Sequence, residues 1–219
     1  MEKKIVLSDT KGSIFISFEG IDGSGKSTQV RFLLDYLRKK NKNTILVREP
    51  GGTNISEEIR TLLLKNRKER LTPKAEALLM TASRNQLIDQ KIIPSLNKGK
   101  IVIADRFSDS TLAYQGGGRG LNVKWLIELN KFATNNIYPD ITFYLDIPPE
   151  EWKKRNLLKK NDRFENAGYD FQKKVREGYL SILNFFPERI IRINGLKKPE
   201  EIHEIILDAV FKRIDLKLE

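Results

Sequence analysis

Polar and apolar positions along this 219-residue chain follow two alternating rhythms. Short continuous apolar runs, such as Ile14-Phe15-Ile16 and Ile101-Val102-Ile103, have the length of strands and carry no polar face. Runs of that kind predict parallel strands covered on both sides. They fall at 14–19, 44–48, 100–105, 141–146 and 189–194. Between them apolar residues return every three or four positions, as Val30, Leu33, Leu34 and Leu37 do. The helices predicted in this way cover 26–40, 56–64, 73–96, 123–134, 149–158, 169–185 and 199–213. Strand and helix in alternation predict an α/β fold, a doubly wound sheet of about five parallel strands with right-handed crossovers. Ligands of such sheets gather beyond the carboxyl ends of the strands. Four polar clusters lie there: 22–27, 49–53, Asp105-Arg106 and the segment after Asp146. No repeat, low-complexity tract or linker breaks the pattern. The chain 1–219 therefore reads as one domain, with residues 1–12 as a loosely held arm.

Composition narrows the class. Hydrophobic residues make up 39% and charged residues 32%, the balance of a soluble globular protein with a heavily charged surface. No apolar run approaches the roughly 20 residues of a membrane span, and the N-terminal apolar stretch is too short for a signal peptide. The absence of cysteine excludes disulfides and thiolate metal sites, and a cytoplasmic location is expected. A net charge of +11 admits two readings, a nucleic-acid-binding stripe or the attraction of small polyanions. Lys and Arg are dispersed and interleaved with Glu and Asp, which favours phosphorylated small molecules, with no nucleic-acid or membrane partner expected.

The sharpest chemical signal is Gly20-Ile21-Asp22-Gly23-Ser24-Gly25-Lys26-Ser27, followed by Thr28. It fits the pattern G-x-x-x-x-G-K-[ST], between a strand and a helix as that pattern requires. The glycines let backbone N–H groups turn inward around phosphate oxygens, Lys26 adds a point charge, and the Ser27 hydroxyl is suited to Mg²⁺. The loop predicts nucleoside triphosphate binding and leaves the phosphate acceptor open. Arg48-Glu49-Pro50-Gly51-Gly52-Thr53 ends the second strand, either as a close-approach turn at the cleft or as a plain strand–helix connection. Asp105-Arg106 ends the third, either as a metal-seeking carboxylate beside a phosphate-seeking guanidinium or as a structural ion pair.

Together with Phe18-Glu19 before the loop, these segments resemble the thymidylate kinases, the dTMP kinases of the nucleoside monophosphate kinase family. The resemblance is also carried by Phe107, by Ser110-Thr111-Leu112-Ala113-Tyr114-Gln115, by Leu145-Asp146-Ile147-Pro148-Pro149-Glu150, and by Asp162-Arg163-Phe164-Glu165. It runs in order from about residue 14 to 210. What it implies is a P-loop fold with a helical lid near 150–165, Mg²⁺-dependent phosphoryl transfer from ATP to dTMP, and a homodimer. By the same resemblance the segment Gly20 to Thr28 holds ATP, and Ser27 and Asp105 serve the metal. Lys26, Arg106, Arg155 and Lys159 act on the phosphoryl groups. The acceptor residues implied are Asp22 on the sugar 3′-hydroxyl, Arg106 with Arg48 on the 5′-phosphate, and Arg84 on the thymine O4 edge. Thr111 lies against the base, Tyr114 against the 2′ position and Gln115 near base or sugar, with Pro50, Met80 and Ser110 completing that half.

Two departures stand out. Met80 occupies a place where the family commonly has an aromatic that stacks on thymine. The lid run from Lys153 to Arg163 has leucine and lysine at its centre, and lysine lacks the planar fork of arginine. Rival readings are a UMP/CMP or broad deoxynucleotide kinase, a nucleic-acid-dependent P-loop ATPase, or a nucleotide-binding protein of weak turnover. His203 reads as a surface residue, Trp125 and Trp152 as packing, and Gly116-Gly117-Gly118 as either a close-approach site or a loop.

Overall fold

The computed structural model describes residues 12–66, 68–156 and 163–218. The expected arm, apart from Gly12, thus lies outside the described residues, as do Lys159, Asp162 and the middle of the expected lid.

Five strands form one parallel sheet: β1 (Ile14–Glu19), β2 (Thr44–Arg48), β3 (Ile101–Asp105), β4 (Ile141–Asp146) and β5 (Ile190–Asn194), in the order β2-β3-β1-β4-β5. Every connection between these strands therefore crosses a face of the sheet, and helices cover both faces. The alternation of side chains along β1 sorts the core. Ile14, Ile16 and Phe18 pack with Leu33 and Leu37 of α1 (Lys26–Lys39) and with Ile202, Ile206 and Val210 of α9 (Pro199–Leu218). Phe15 points the other way, toward Leu87, Val102 and Phe107. Full burial of side chains of this size is worth about 1.5–3 kcal/mol each, so the apolar runs that predict strands also fix the layer order.

Local chemistry sets the helix starts. The Thr53 hydroxyl accepts from the Ser56 N–H at 3.2 Å to begin α2 (Asn54–Leu64), slightly earlier than the periodicity predicts. Thr72 caps α3 (Pro73–Leu87), with proline at the first turn where a missing N–H is harmless. The chain continues through a π-helical turn, Ile88–Ile92, into α4 (Ile93–Leu96), so the single helix expected over 73–96 is a compound one. Asn122 caps α6 (Val123–Thr134), which ends at Asn135 in the left-handed region, φ 52°. The remaining helices are α7 (Pro149–Asn156) and α8 (Tyr169–Ile182).

The segment after β3 is a short helix α5 (Ser108–Thr111) that widens into a π-helical stretch, Leu112–Gly118. Its glycines resolve the choice left open by the sequence, for a Cβ on Gly117 would stand 2.8 Å from the Gly178 Cα. A Cβ on Gly178 would meet the Ala113 carbonyl at 2.9 Å. Backbone therefore packs on backbone, and this seats α8 tightly beside residues 110–115. His203 is a correction: it is half-buried, its ring 5.5 Å edge-on to Phe32 and near Tyr36, because α9 lies across α1. Trp152 is packed inside, whereas Trp125 is exposed on α6.

Candidate active site

A cleft of about 770 Å³ opens at the carboxyl ends of the strands, lined on one side by the loop from Asp22 to Thr28 and on the other by Arg48, Pro50, Met80, Arg84, Arg106, Ser110, Thr111, Tyr114 and Gln115. Residues from widely separated chain segments thus face one space, as the switch-point rule for open α/β sheets predicts.

The loop is bent by its glycines. Gly20 has φ 143°, and a Cβ there would stand 2.5 Å from the Leu145 carbonyl. Lys26 curls back into the loop and donates to the carbonyls of Gly20 and Ile21, both at 2.9 Å. Burial pushes its ammonium down to about 8, with the neighbouring Arg106 charge adding to that and Asp22 opposing it. Such a cation gains most from phosphate oxygens, which replace carbonyl dipoles with full negative charge. At the next position the Ser27 hydroxyl donates to Asp105 Oδ2 at 3.1 Å. Two hard oxygen donors side by side fit Mg²⁺, which keeps several waters and takes few protein ligands. Among the described residues no cluster of three or more metal-holding side chains competes with them.

Two arginines dominate the side of the cleft opposite the loop. Arg106 closes β3 with φ 71°, in the left-handed region that costs a non-glycine residue about 1–3 kcal/mol. Its Nη2 donates to Asp22 at 2.5 Å, directly bridging the phosphate loop. Its Nη1 donates to the Gly20 carbonyl at 2.8 Å and reaches Ser110 and Tyr179 at 3.3 Å. The guanidinium carbon lies 5.0 Å from the Tyr114 ring centroid, a cation–π contact. Among the described residues its Nε–H makes no hydrogen bond.

Arg84 is different. It is 1% exposed and sits in the floor of the cleft. Nε and Nη2 grip Glu49 at 2.8 and 2.6 Å, Nη2 also meets the Phe107 carbonyl at 3.2 Å, and Nη1 meets Thr111 at 3.0 Å and Asn130 at 2.7 Å. All five of its N–H groups therefore have protein acceptors. Burial raises the Glu49 carboxyl, and the Arg84 charge pulls it back. No spare donor faces a base here, so the O4 contact that the resemblance implies would need one of these bonds to yield.

Other expected residues are placed as follows. Arg48 pairs with Glu57 at 2.8 Å. Arg155 donates to the Gly23 carbonyl at 3.0 Å, so α7, which opens the segment expected to form a lid, touches the glycine-rich loop. Gln115 is buried and donates to Glu76 at 2.8 Å rather than pointing freely into the cleft. Arg163 donates to the same Glu76 at 2.6 Å and to the Leu63 carbonyl at 2.8 Å, and so fastens the far end of the lid to α2 and α3. Among the described residues the buried Tyr114 hydroxyl has no hydrogen-bond partner, and the ring is edge-on to Phe164 and Phe171. Sequence reasoning missed Asn130, Glu76 and Tyr179, and it quoted Glu19 within a motif without giving it a role.

The chain matches the thymidylate kinase family model over residues 18–206. A thymidylate kinase of Caldanaerobacter subterraneus subsp. tengcongensis is 48% identical over 196 residues, covering 90% of this chain and 94% of that protein. One from Chlorobaculum tepidum is 48% identical over 207 residues, covering 90% and 96%. The crystal structure of thymidylate kinase from Ehrlichia chaffeensis superposes with a TM-score of 0.74 at 37% identity, covering 91% of this chain and 99% of that one.

Proposed function

This chain belongs to the thymidylate kinase family, and from that premise we propose how its cleft phosphorylates dTMP to dTDP with ATP. The donor triphosphate lies along Gly20 to Thr28, its phosphates meeting the loop N–H groups and Lys26. The acceptor dTMP lies across β2 and β3, its 5′-phosphate on the unclaimed edge of Arg106, its base over the floor formed by Arg84 and Thr111, between Met80 and Tyr114. The observation that carries this reading is the 2.5 Å contact between Arg106 and Asp22, which joins the acceptor arginine to the donor loop. A phosphate on Arg106 is then beside the triphosphate, and Asp22 is near enough to meet the acceptor sugar.

The acceptor phosphate is itself the nucleophile, so positioning and charge neutralisation do the chemical work. Lys26, Arg106 and Arg155 supply positive charge around the transferring group, and Lys159, outside the described residues, is proposed as a further cation. Ser27 and Asp105 would hold Mg²⁺, which supplies charge compensation between the donor phosphates. Residues 150–165 act as the lid of a single kinase domain, excluding water that would otherwise hydrolyse ATP.

The family's preference for pairs fits an exposed apolar face on adjacent helices, with Leu62 on α2, Leu78 on α3, and Trp125 and Phe132 on α6; Phe132 is 80% exposed. We place a second copy of this chain there. No helix among the described residues is long and apolar enough to cross a membrane, and the cysteine-free composition suits the cytoplasm. Product analysis across dTMP, dUMP, UMP, CMP and AMP tests the substrate. The expected outcome is dTDP and ADP with dTMP far ahead of the ribonucleotides, and equal rates with UMP, CMP or AMP would overturn it.

A further inference from the structure

Glu19 is the last residue of β1 and is fully buried, yet among the described residues no charged side chain pairs with it directly. Its carboxylate instead accepts three neutral hydrogen bonds. Oε1 takes the Phe107 N–H at 2.7 Å, and Oε2 takes the Ser110 hydroxyl at 2.6 Å and the Tyr179 hydroxyl at 2.7 Å. Burial raises the carboxyl to about 7, with the nearby Asp109 charge adding to the rise and the Arg106 charge, then the Ser110 and Tyr179 hydroxyls, opposing it.

The three donors all surround Arg106. Phe107 is the next residue in the chain, and its N–H is fixed just where the backbone passes through the strained left-handed conformation of Arg106. The Ser110 and Tyr179 hydroxyls also lie 2.9 Å from each other, so their two protons are taken up by Glu19 and by that mutual contact, and in either arrangement it is lone pairs that face Nη1 of Arg106, each at 3.3 Å. A hydroxyl committed in this way accepts from a guanidinium and is not a donor to phosphate. The two hydroxyls thus orient the arginine, and the carboxylate orients the hydroxyls.

We propose that Glu19 is a positioning residue for the acceptor phosphate: it holds the turn at Arg106 and turns the Ser110 and Tyr179 hydroxyls so that the guanidinium faces the incoming 5′-phosphate. The inference rests on the assignment of Arg106 to that phosphate. It separates Ser110 from the residues that touch the acceptor and gives Tyr179, 160 residues away from Glu19, a defined task.

The test compares dTMP with thymidine, which has the same base and sugar and no phosphate, by equilibrium binding to wild type, Glu19→Gln, Glu19→Asp and Arg106→Ala. The glutamine variant keeps the shape but presents one acceptor oxygen where two served, and the aspartate variant keeps the charge but is too short to meet all three donors. Glu19→Gln is expected to weaken dTMP about tenfold while thymidine stays within about twofold and ATP is unaffected. Glu19→Asp should show the same selective loss, smaller in size, and decides the matter if Glu19→Gln does not fold. Equal weakening of both ligands, or of neither, in a folded Glu19 variant would overturn the inference, since a merely structural carboxylate has no means of sensing the phosphate. If Arg106→Ala itself loses dTMP and thymidine alike, the failure lies in the placement of the acceptor phosphate and not in Glu19 alone.

Discussion

Two arginines line the half of the cleft opposite the glycine-rich loop, and they differ in what remains free. Arg84 has a carboxylate, two side-chain oxygens and a carbonyl for its five N–H groups, and its side chain is 2% exposed. Arg106 is partly exposed and shares one carboxylate with the phosphate loop, and its Nε–H makes no bond among the described residues. A saturated guanidinium is architecture, whereas one with an open edge is equipment for a dianion. Buried ion pairs of the first kind add little net stability but are expensive to break. Cations of the second kind keep a donor free for transition-state binding. The difference sorts side chains that sequence reasoning treats alike.

Arg106→Ala is the most direct attempt to break this contrast. It should lower kcat/KM for dTMP by about 10³- to 10⁴-fold, or about 4–5.5 kcal/mol, with little change in thermal unfolding. A coupled ADP assay beside a melting curve reads both. A large loss of stability with activity preserved in the folded fraction would exchange the roles of the two arginines.

Glu49→Gln tests the other side. It leaves the Arg84 charge buried without its carboxylate, and the expected loss is about 3–5 kcal/mol of unfolding free energy. Replacing both partners, Glu49→Leu with Arg84→Met, should recover much of that stability, because it removes the uncompensated charge. Denaturant titration of the single and double variants measures the coupling. Near-additive losses would mean that Arg84 is held mainly by Asn130, Thr111 and the Phe107 carbonyl.

The contrast also explains what is legible in the chain. The donor half is one contiguous word, because a backbone nest needs consecutive residues with glycine at fixed places. The sheet is equally plain, since strands buried on both faces must be apolar throughout. The acceptor half is assembled across distance: Asn130 reaches Arg84 from 46 residues away, and Arg163 reaches Glu76 from 87. Neither partner has a local pattern. Arg84 is legible as a position but not as a saturated one, because saturation belongs to its neighbours. Nor does any spacing announce that Gln115 and Ser110 each donate to a carboxylate, Glu76 and Glu19, instead of keeping their protons for the cleft. The compound helix after Leu87 and the π-helical stretch at Leu112–Gly118 escape because periodicity does not distinguish a widened turn from a regular one.

A pH series sharpens the comparison from beneath Arg106. The folded protein holds the Glu19 proton up to about 7, while the unfolded chain releases it near the ordinary value of 4.5. Between those values the folded state binds more protons, so stability is fullest below 4.5 and declines as pH rises through about 7. The decline due to this group is about 3 kcal/mol. Glu49 is shifted in the same sense, and Glu57 and Asp146 in the opposite one. Glu19→Gln isolates the effect, since its unfolding free energy should be flatter than wild type from pH 4.5 to 7. Parallel curves would mean that Glu19 titrates in the folded protein as it does in the unfolded chain.

The smallest effect expected concerns Met80, in the cleft wall beside the cluster that contains Tyr114 and Phe164. With the floor beneath the base saturated, hydrogen-bond donors are scarce on that side, and discrimination must come in good part from shape and from packing on the ring face. A thioether packs on an aromatic face less completely than a ring does. Met80→Phe should therefore tighten dTMP by about 0.5–1.5 kcal/mol, roughly a threefold to tenfold fall in Kd, while KM for ATP stays unchanged. Weaker binding of both dTMP and thymidine would show that the wall has no room for a ring. No change in either would place the base away from Met80, and the floor built on Arg84 would then have to be more than a floor, giving up one of its five bonds when thymine arrives.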